Sequence, residues 1–176
     1  AAEADVVGGS IEDSTGNREH PIYDFSLAVE RVQAAVEAAR ALPFPFMLTA
    51  RAENLLHGRN DLDDTIKRLQ AFEAVGADVL YAPGVYDAKT IRTVTASLGK
   101  PFNLVMGFAD PTLTVDQIAA AGVKRISTGG AMERHALNAF LRSAREMKDK
   151  GSFSYVRDMA PVKEVRAAFN GSVPAP

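Results

Sequence analysis

The chain has 176 residues, 47% of them hydrophobic, with 22 acidic against 20 basic side chains and a formal net charge of −2, the composition of an ordinary globular protein with one sizeable core. Basic residues are scattered among acidic ones, which excludes the electrostatic footprint of a nucleic-acid binder, and no apolar run approaches the roughly 20 residues that cross a bilayer. Cysteine is absent, which excludes disulfides, thiolate metal sites and a cysteine nucleophile; with no signal-peptide pattern at the N-terminus, a soluble cytoplasmic protein is expected.

Apolar runs of strand length alternate with helix-period segments, the pattern of βα units that build a parallel sheet. The first strand is predicted over residues 5–11. It is followed by a helix whose Ala28, Val32, Ala35, Val36 and Ala39 line one face, and Pro43 and Pro45 forbid its continuation. A second strand, 46–50, leads to a helix with Asp61 as N-cap. That helix buries Leu62, Ile66, Leu69 and Phe72 and closes where Gly76 takes a left-handed conformation. The third unit is a strand over 78–82 and a helix over 88–98, with Ile91, Val94 and Leu98 on one side and Gly99 past its end. A strand over 102–106 precedes a short helix announced by the capping-box pair Thr114 and Gln117 and closed at Gly122. The fifth unit joins a strand over 124–128 to a helix over 131–150. Lys148 and Lys150 fall in its last turn, where cations complement the helix dipole, and Gly151 follows. Residues 152–159 read as irregular, 161–169 as a brief helix with Pro161 in its first turn, and 170–176 as a disordered tail. Strands this short and apolar suit a sheet covered on both faces, and one domain over residues 1–170 is expected.

Read strand by strand, the segments GGSIEDSTG, LTARAEN, GADVLYAPG, PFNLVMG and GVKRISTGG follow the order and spacing of strands four to eight in the isocitrate lyase and phosphoenolpyruvate mutase superfamily. The chain resembles that family over almost its whole length. The resemblance implies an α/β fold, a parallel (β/α)8 barrel of TIM type, with five of the eight βα units in this chain and residues 1–4 as the tail of an upstream helix. It also implies a magnesium-dependent lyase or mutase acting on a small anionic 2-oxo or 2-hydroxy acid. Carbon–carbon or carbon–phosphorus bonds would be broken through a pyruvate enolate-like intermediate that the metal stabilises. Relatives commonly form homo-oligomers. Five strands of such a barrel leave two unpaired edges and open inward faces, to be covered by an upstream segment, by a partner chain or by rearrangement into an open sheet.

Barrel active sites lie at the carboxyl ends of the strands, which directs attention to the residues there. Glu12 and Asp13 end the first strand. The family's glutamate of the IED segment belongs to the metal site, so Glu12 is expected to serve Mg2+ through a bound water; a solvated turn acid is the alternative. Arg51 follows LTA at the next strand end. The family's arginine at this place clamps the substrate acid by two parallel hydrogen bonds, and an ion pair with Glu12 or Glu53 is a compatible second role. Glu53 is expected to orient its neighbours. His57 and Arg59, in the loop after it, would face the site under a closed lid. Asn103, in the strand equivalent to the family's seventh, reads as a substrate contact or as a core amide bonded to backbone. Gly129 and Gly130 open the last helix, where backbone amides suit an anion or tight packing.

The segment DSTGNREHP occupies the place of the family's gating loop, and Asp13, Ser14, Thr15, Gly16 and Asn17 give it a flexible composition. Relatives that split isocitrate or methylisocitrate carry a cysteine here. This chain has none, which argues against those two substrates, and His20 or Asn17 would supply a polar group instead, His20 as a proton shuttle. The family's main magnesium ligands lie in a D-x-D-x-G-Y-G type stretch after the third strand, and no such stretch occurs in this sequence. Weak magnesium binding by this polypeptide is therefore expected. Two other readings stand beside the enzyme: a non-catalytic fragment or binding module with a barrel-derived surface, and a phosphate-binding barrel of another family using Gly129 and Gly130.

Overall fold

The computed structural model describes residues 4–107 and 109–170. Most of the expected upstream helix tail and residues 171–176 of the expected disordered tail lie outside the described residues.

Five parallel strands pair in chain order: β1 (Gly8–Glu12), β2 (Met47–Arg51), β3 (Val79–Tyr81), β4 (Phe102–Val105) and β5 (Arg125–Ser127). Between them run α1 (Phe25–Arg40), α2 (Leu62–Ala74), α3 (Ala88–Ala96) and α4 (Val115–Ala120); α5 (Ala131–Lys150) and α6 (Val162–Phe169) follow. This is the expected α/β arrangement, a partial (β/α) barrel in which every strand neighbours its predecessor. The chain falls into two compact units, Ala1–Gly129 and Gly130–Pro176. The fifth βα unit is thereby divided, with β5 in the first and α5 in the second.

Local signals set the helix ends. The Asp61 carboxylate accepts from the Asp64 amide, and Gly76 closes α2 at φ 104°. Both arms of the Thr114–Gln117 capping box form. Replacing Thr114 by Ala is expected to lower the unfolding free energy by about 1 kcal/mol, read from the urea midpoint. Helix α3 stops short of residue 98, its last turn tightened as the Ser97 and Leu98 amides donate to the Val94 and Thr95 carbonyls. In the second unit α5 ends at the left-handed Gly151. A 3-10 turn (Ser154–Asp158) occupies the irregular stretch, and Pro161 caps α6 instead of entering it.

Alternation along the strands sorts side chains between two faces. Leu48, Ala50, Leu80, Phe102 and Leu104 join Val32 and Val36 of α1, Leu69 and Phe72 of α2, Ile91 and Val94 of α3, and Ile118 of α4 in one apolar core. Phe72 and Leu69 are wholly buried, each contributing roughly 1.5–3 kcal/mol by transfer from water. The opposite face is concave and lined by Ser10, Thr49, Arg51, Val79, Tyr81, Asn103, Arg125 and Ser127 around a cavity of about 720 Å3. The sheet is thus covered on its outward face, and its inward face is open among the described residues. Its outward residues are apolar and packed under helices, whereas the inward set is largely polar and open. Parallel register aligns Glu12 with Arg51, Arg51 with Tyr81, Tyr81 with Asn103 and Asn103 with Arg125, so one row of functional side chains crosses the sheet.

Candidate active site

Arg51, the last residue of β2, is the centre of that row. Its Nε donates to Glu53 Oε1 at 2.8 Å and its Nη2 lies 3.2 Å from Glu12 Oε2. Its guanidinium carbon stands 4.9 Å from the centre of the Tyr81 ring, a cation–π contact that flattens the group against the cavity wall. Nη1 has no partner among the described residues, so an edge of the fork is left for an anion. Glu12 and Arg51 thus share one rim as cross-strand partners, and both expected roles of the arginine are open to it at once.

Tyr81 stands outside the residues expected from the sequence, although it lies within the predicted strand, ends β3 and has the parity of Val79. Burial pushes its phenol up and Glu53 and Glu12 add to this, while Arg51 opposes it. At neutral pH the hydroxyl keeps its proton and is available as a donor in the cavity.

Asp13 is turned to the other side of the strand from Glu12. Its carboxylate is fully buried, with Oδ1 accepting from the Glu53 amide at 2.8 Å and Oδ2 from Arg68 Nη1 at 3.1 Å. Asp13 is the anchored root of the segment, since freeing it would leave a buried arginine and a buried amide without their acceptor. Ser14 to Asn17 are the outer part. Ser14 bridges Ile22, the Thr15 hydroxyl donates to the His20 carbonyl, and Gly16 has φ 76°. His20 is exposed and takes part through that carbonyl, whereas the His57 ring is 3.3 Å from the Ser14 hydroxyl. Gly84, at φ 98°, lets the loop after β3 pass so close to Leu55 that an added Cβ would meet its Cβ at 2.7 Å, bringing that loop against the segment carrying Glu53.

Asn103 is buried in the cavity wall. Its Nδ2 donates to the Ser127 hydroxyl at 3.0 Å, and its Oδ1 has no partner among the described residues. Gly129, at φ 53°, follows β5 outside the cavity lining, and Gly130 belongs to the second unit as the N-cap of α5.

Burial raises the Asp13 carboxyl above its ordinary range against the pull of the Glu53 amide and Arg68. Burial raises Glu53 likewise against Arg51, with Glu12 and Asp13 adding to the rise. Both groups bind protons more tightly in the folded chain than in the unfolded one. The stability they contribute is fully present below about pH 4, the unfolded carboxylate range, and is lost as pH rises through the raised folded values. Glu53→Gln removes one of these titrations. Its urea-unfolding free energy is expected to fall less steeply from about pH 4 upward than that of the parent.

Among the described residues no group of three or more His, Asp or Glu side chains could hold a metal ion. Glu12, 45% exposed and tied to Arg51 through one oxygen, is placed to accept hydrogen bonds from a metal-bound water. No helix among the described residues is long and apolar enough to cross a membrane.

A model of the family described as phosphoenolpyruvate phosphomutase matches residues 1–148. The chain belongs to that family. Among solved structures, a candidate lyase/mutase of Burkholderia cenocepacia J2315 superposes with a TM-score of 0.91 at 57% identity, covering 96% of this chain and 61% of the other. Phosphonopyruvate hydrolase, crystallised with oxalate and Mg2+, has the same fold at a TM-score of 0.75, with 22% identity over 97% of this chain and 60% of that one. An oxaloacetate decarboxylase of Ectopseudomonas mendocina is 28% identical over 82% of this chain and 50% of its own length. The chain thus spans about half of that decarboxylase and about three fifths of the solved chains. The superfamily resemblance carried by the five strand segments is borne out, and the phosphomutase family comprises enzymes of lyase and mutase type.

Proposed function

We propose that this phosphomutase-family chain carries the substrate-clamping side of a magnesium-dependent lyase or mutase site for a small 2-oxo or 2-hydroxy acid. The chemistry is carbon–carbon or carbon–phosphorus cleavage through a pyruvate enolate-like species. The observation that carries the reading is Arg51, aligned by two carboxylates on the concave face, with Nη1 free among the described residues. Arg51 binds the acid group, Glu53 and Glu12 hold the guanidinium in place, and Tyr81 and Asn103 present polar atoms to the rest of a small ligand. Ser14 to Asn17 close over the rim, and His20 is the imidazole carried by that loop. Magnesium is served by this chain through Glu12 in the outer sphere. The homo-oligomer expected of the family belongs to the same reading.

Calorimetric titration with oxalate and pyruvate, with and without Mg2+, tests this. Oxalate is expected to bind with one site per chain, and Mg2+ alone to give no saturable heat below about millimolar concentration. Absence of oxalate binding removes the clamp; tight binding of Mg2+ by itself overturns the outer-sphere assignment.

The lack of a three-ligand acid cluster among the described residues favours a second reading, a non-catalytic binding module. Oxalate binding without Mg2+-dependent pyruvate release from any of a panel of 2-oxo and 2-hydroxy acids would select it.

A further inference from the structure

Helix α2 buries one charged side chain. Arg68 is 5% exposed, and its guanidinium is satisfied from three directions. Nε donates to Asp64 Oδ2 at 2.8 Å, and Nη1 donates to Asp13 Oδ2 at 3.1 Å and to the Tyr23 carbonyl at 3.0 Å. Asp64 is in turn held by Asn54 Nδ2 at 2.7 Å, and the Phe25 ring lies 5.8 Å from the guanidinium carbon.

Asp13 passes this constraint to the rim. Its amide donates to the Arg51 carbonyl and its carbonyl accepts from the Tyr23 amide, while its free carboxylate oxygen takes the Glu53 amide. Glu53, with a side chain only 2% exposed, is the acid on Arg51 Nε. One arginine therefore fixes the backbone position of the carboxylate that orients the clamp. The same nitrogen ties residues 13 and 23, the two roots of the loop between β1 and α1. An apolar side chain of equal volume would fill the space of Arg68 but could not hold three acceptors at fixed angles.

We infer that Arg68 is a positioning residue: through Asp13 it holds Glu53, and so sets the direction in which Arg51 presents its free edge to an anion, while binding the loop roots to the same rim. The inference rests on the reading of Arg51 as an anion clamp.

Arg68→Lys keeps the charge but offers one ammonium in place of the planar fork; Asp64→Asn loosens Nε without touching Asp13. Amide hydrogen exchange and exchange of the Arg51 Nε–H, followed by NMR in the full chain, separate positioning from mere stability. In both variants the Glu53 amide and the Arg51 Nε–H are expected to exchange about tenfold faster, the equivalent of one charge-assisted hydrogen bond, while Ile91 and Leu104 keep their protection. Oxalate affinity falls by about the same factor at unchanged stoichiometry. Unchanged protection at Glu53, or faster exchange at all of these sites in parallel, overturns the inference. Should Arg68→Lys fail to fold, Asp64→Asn decides alone. If the parent chain does not bind oxalate, the clamp reading fails, and the exchange data still decide whether Arg68 fixes Glu53.

Discussion

Arg51→Gln is expected to weaken oxalate binding about a hundredfold, and Arg51→Lys about tenfold. A bidentate guanidinium–carboxylate contact consists of two charge-assisted hydrogen bonds, and losing both removes about 3 kcal/mol, or about two decades of affinity. Lysine restores the charge as a point without the fork, and it cannot keep both Glu53 at 2.8 Å and Glu12 at 3.2 Å while facing a ligand. The Gln variant also leaves Glu53 buried without its counter-charge, so that carboxyl takes up a proton more readily still. Titration calorimetry reads the affinities, with far-UV circular dichroism confirming that both variants are folded. Oxalate binding that is unchanged in Arg51→Gln would remove Arg51 from the site.

Asp13→Ala is expected to lower the unfolding free energy by about 3 kcal/mol, a large effect for an acid in a connecting segment. The substitution strips Arg68 of its most buried counter-ion and orphans the Glu53 amide, both in surroundings where water cannot replace the lost acceptor. Arg18→Ala, in the exposed part of the same loop, is expected to stay within about 0.5 kcal/mol. Urea unfolding of the two variants side by side distinguishes an anchored root from a solvated loop; equal midpoints would show that Asp13 belongs to the mobile part.

The elements legible in the amino-acid sequence are those whose causes lie within a few residues. Asp61 meets the amide of Asp64, Thr114 and Gln117 meet each other, and Gly76 and Gly151 adopt the left-handed conformation where an apolar period ends. Glu12 and Arg51 were reachable by the rule that barrel chemistry sits at strand ends, and their shared rim follows from strand order. Tyr81 obeys the same rule and carries the parity of Val79, so period-two alternation is the signal that points to it. That alternation also separates Glu12 from Asp13, neighbours in sequence whose carboxylates lie on opposite sides of β1.

Arg68 shows where local signals end. A charged residue on a helix reads as part of the solvated face, and nothing near it says otherwise, because two of its acceptors, on Asp13 and Tyr23, lie 55 and 45 positions away. The sequence by itself determined the order of βα units, the family and the strand-end arginine, since periodicity, caps and motif spacing are properties of short stretches. Only the tertiary structure decided that Asp13 is an anchor, that Arg68 is buried beneath the rim, and that Tyr81 is the surface against which Arg51 lies. Those roles depend on which distant groups share one desolvated space, and burial makes each unmet polar partner too costly to leave free.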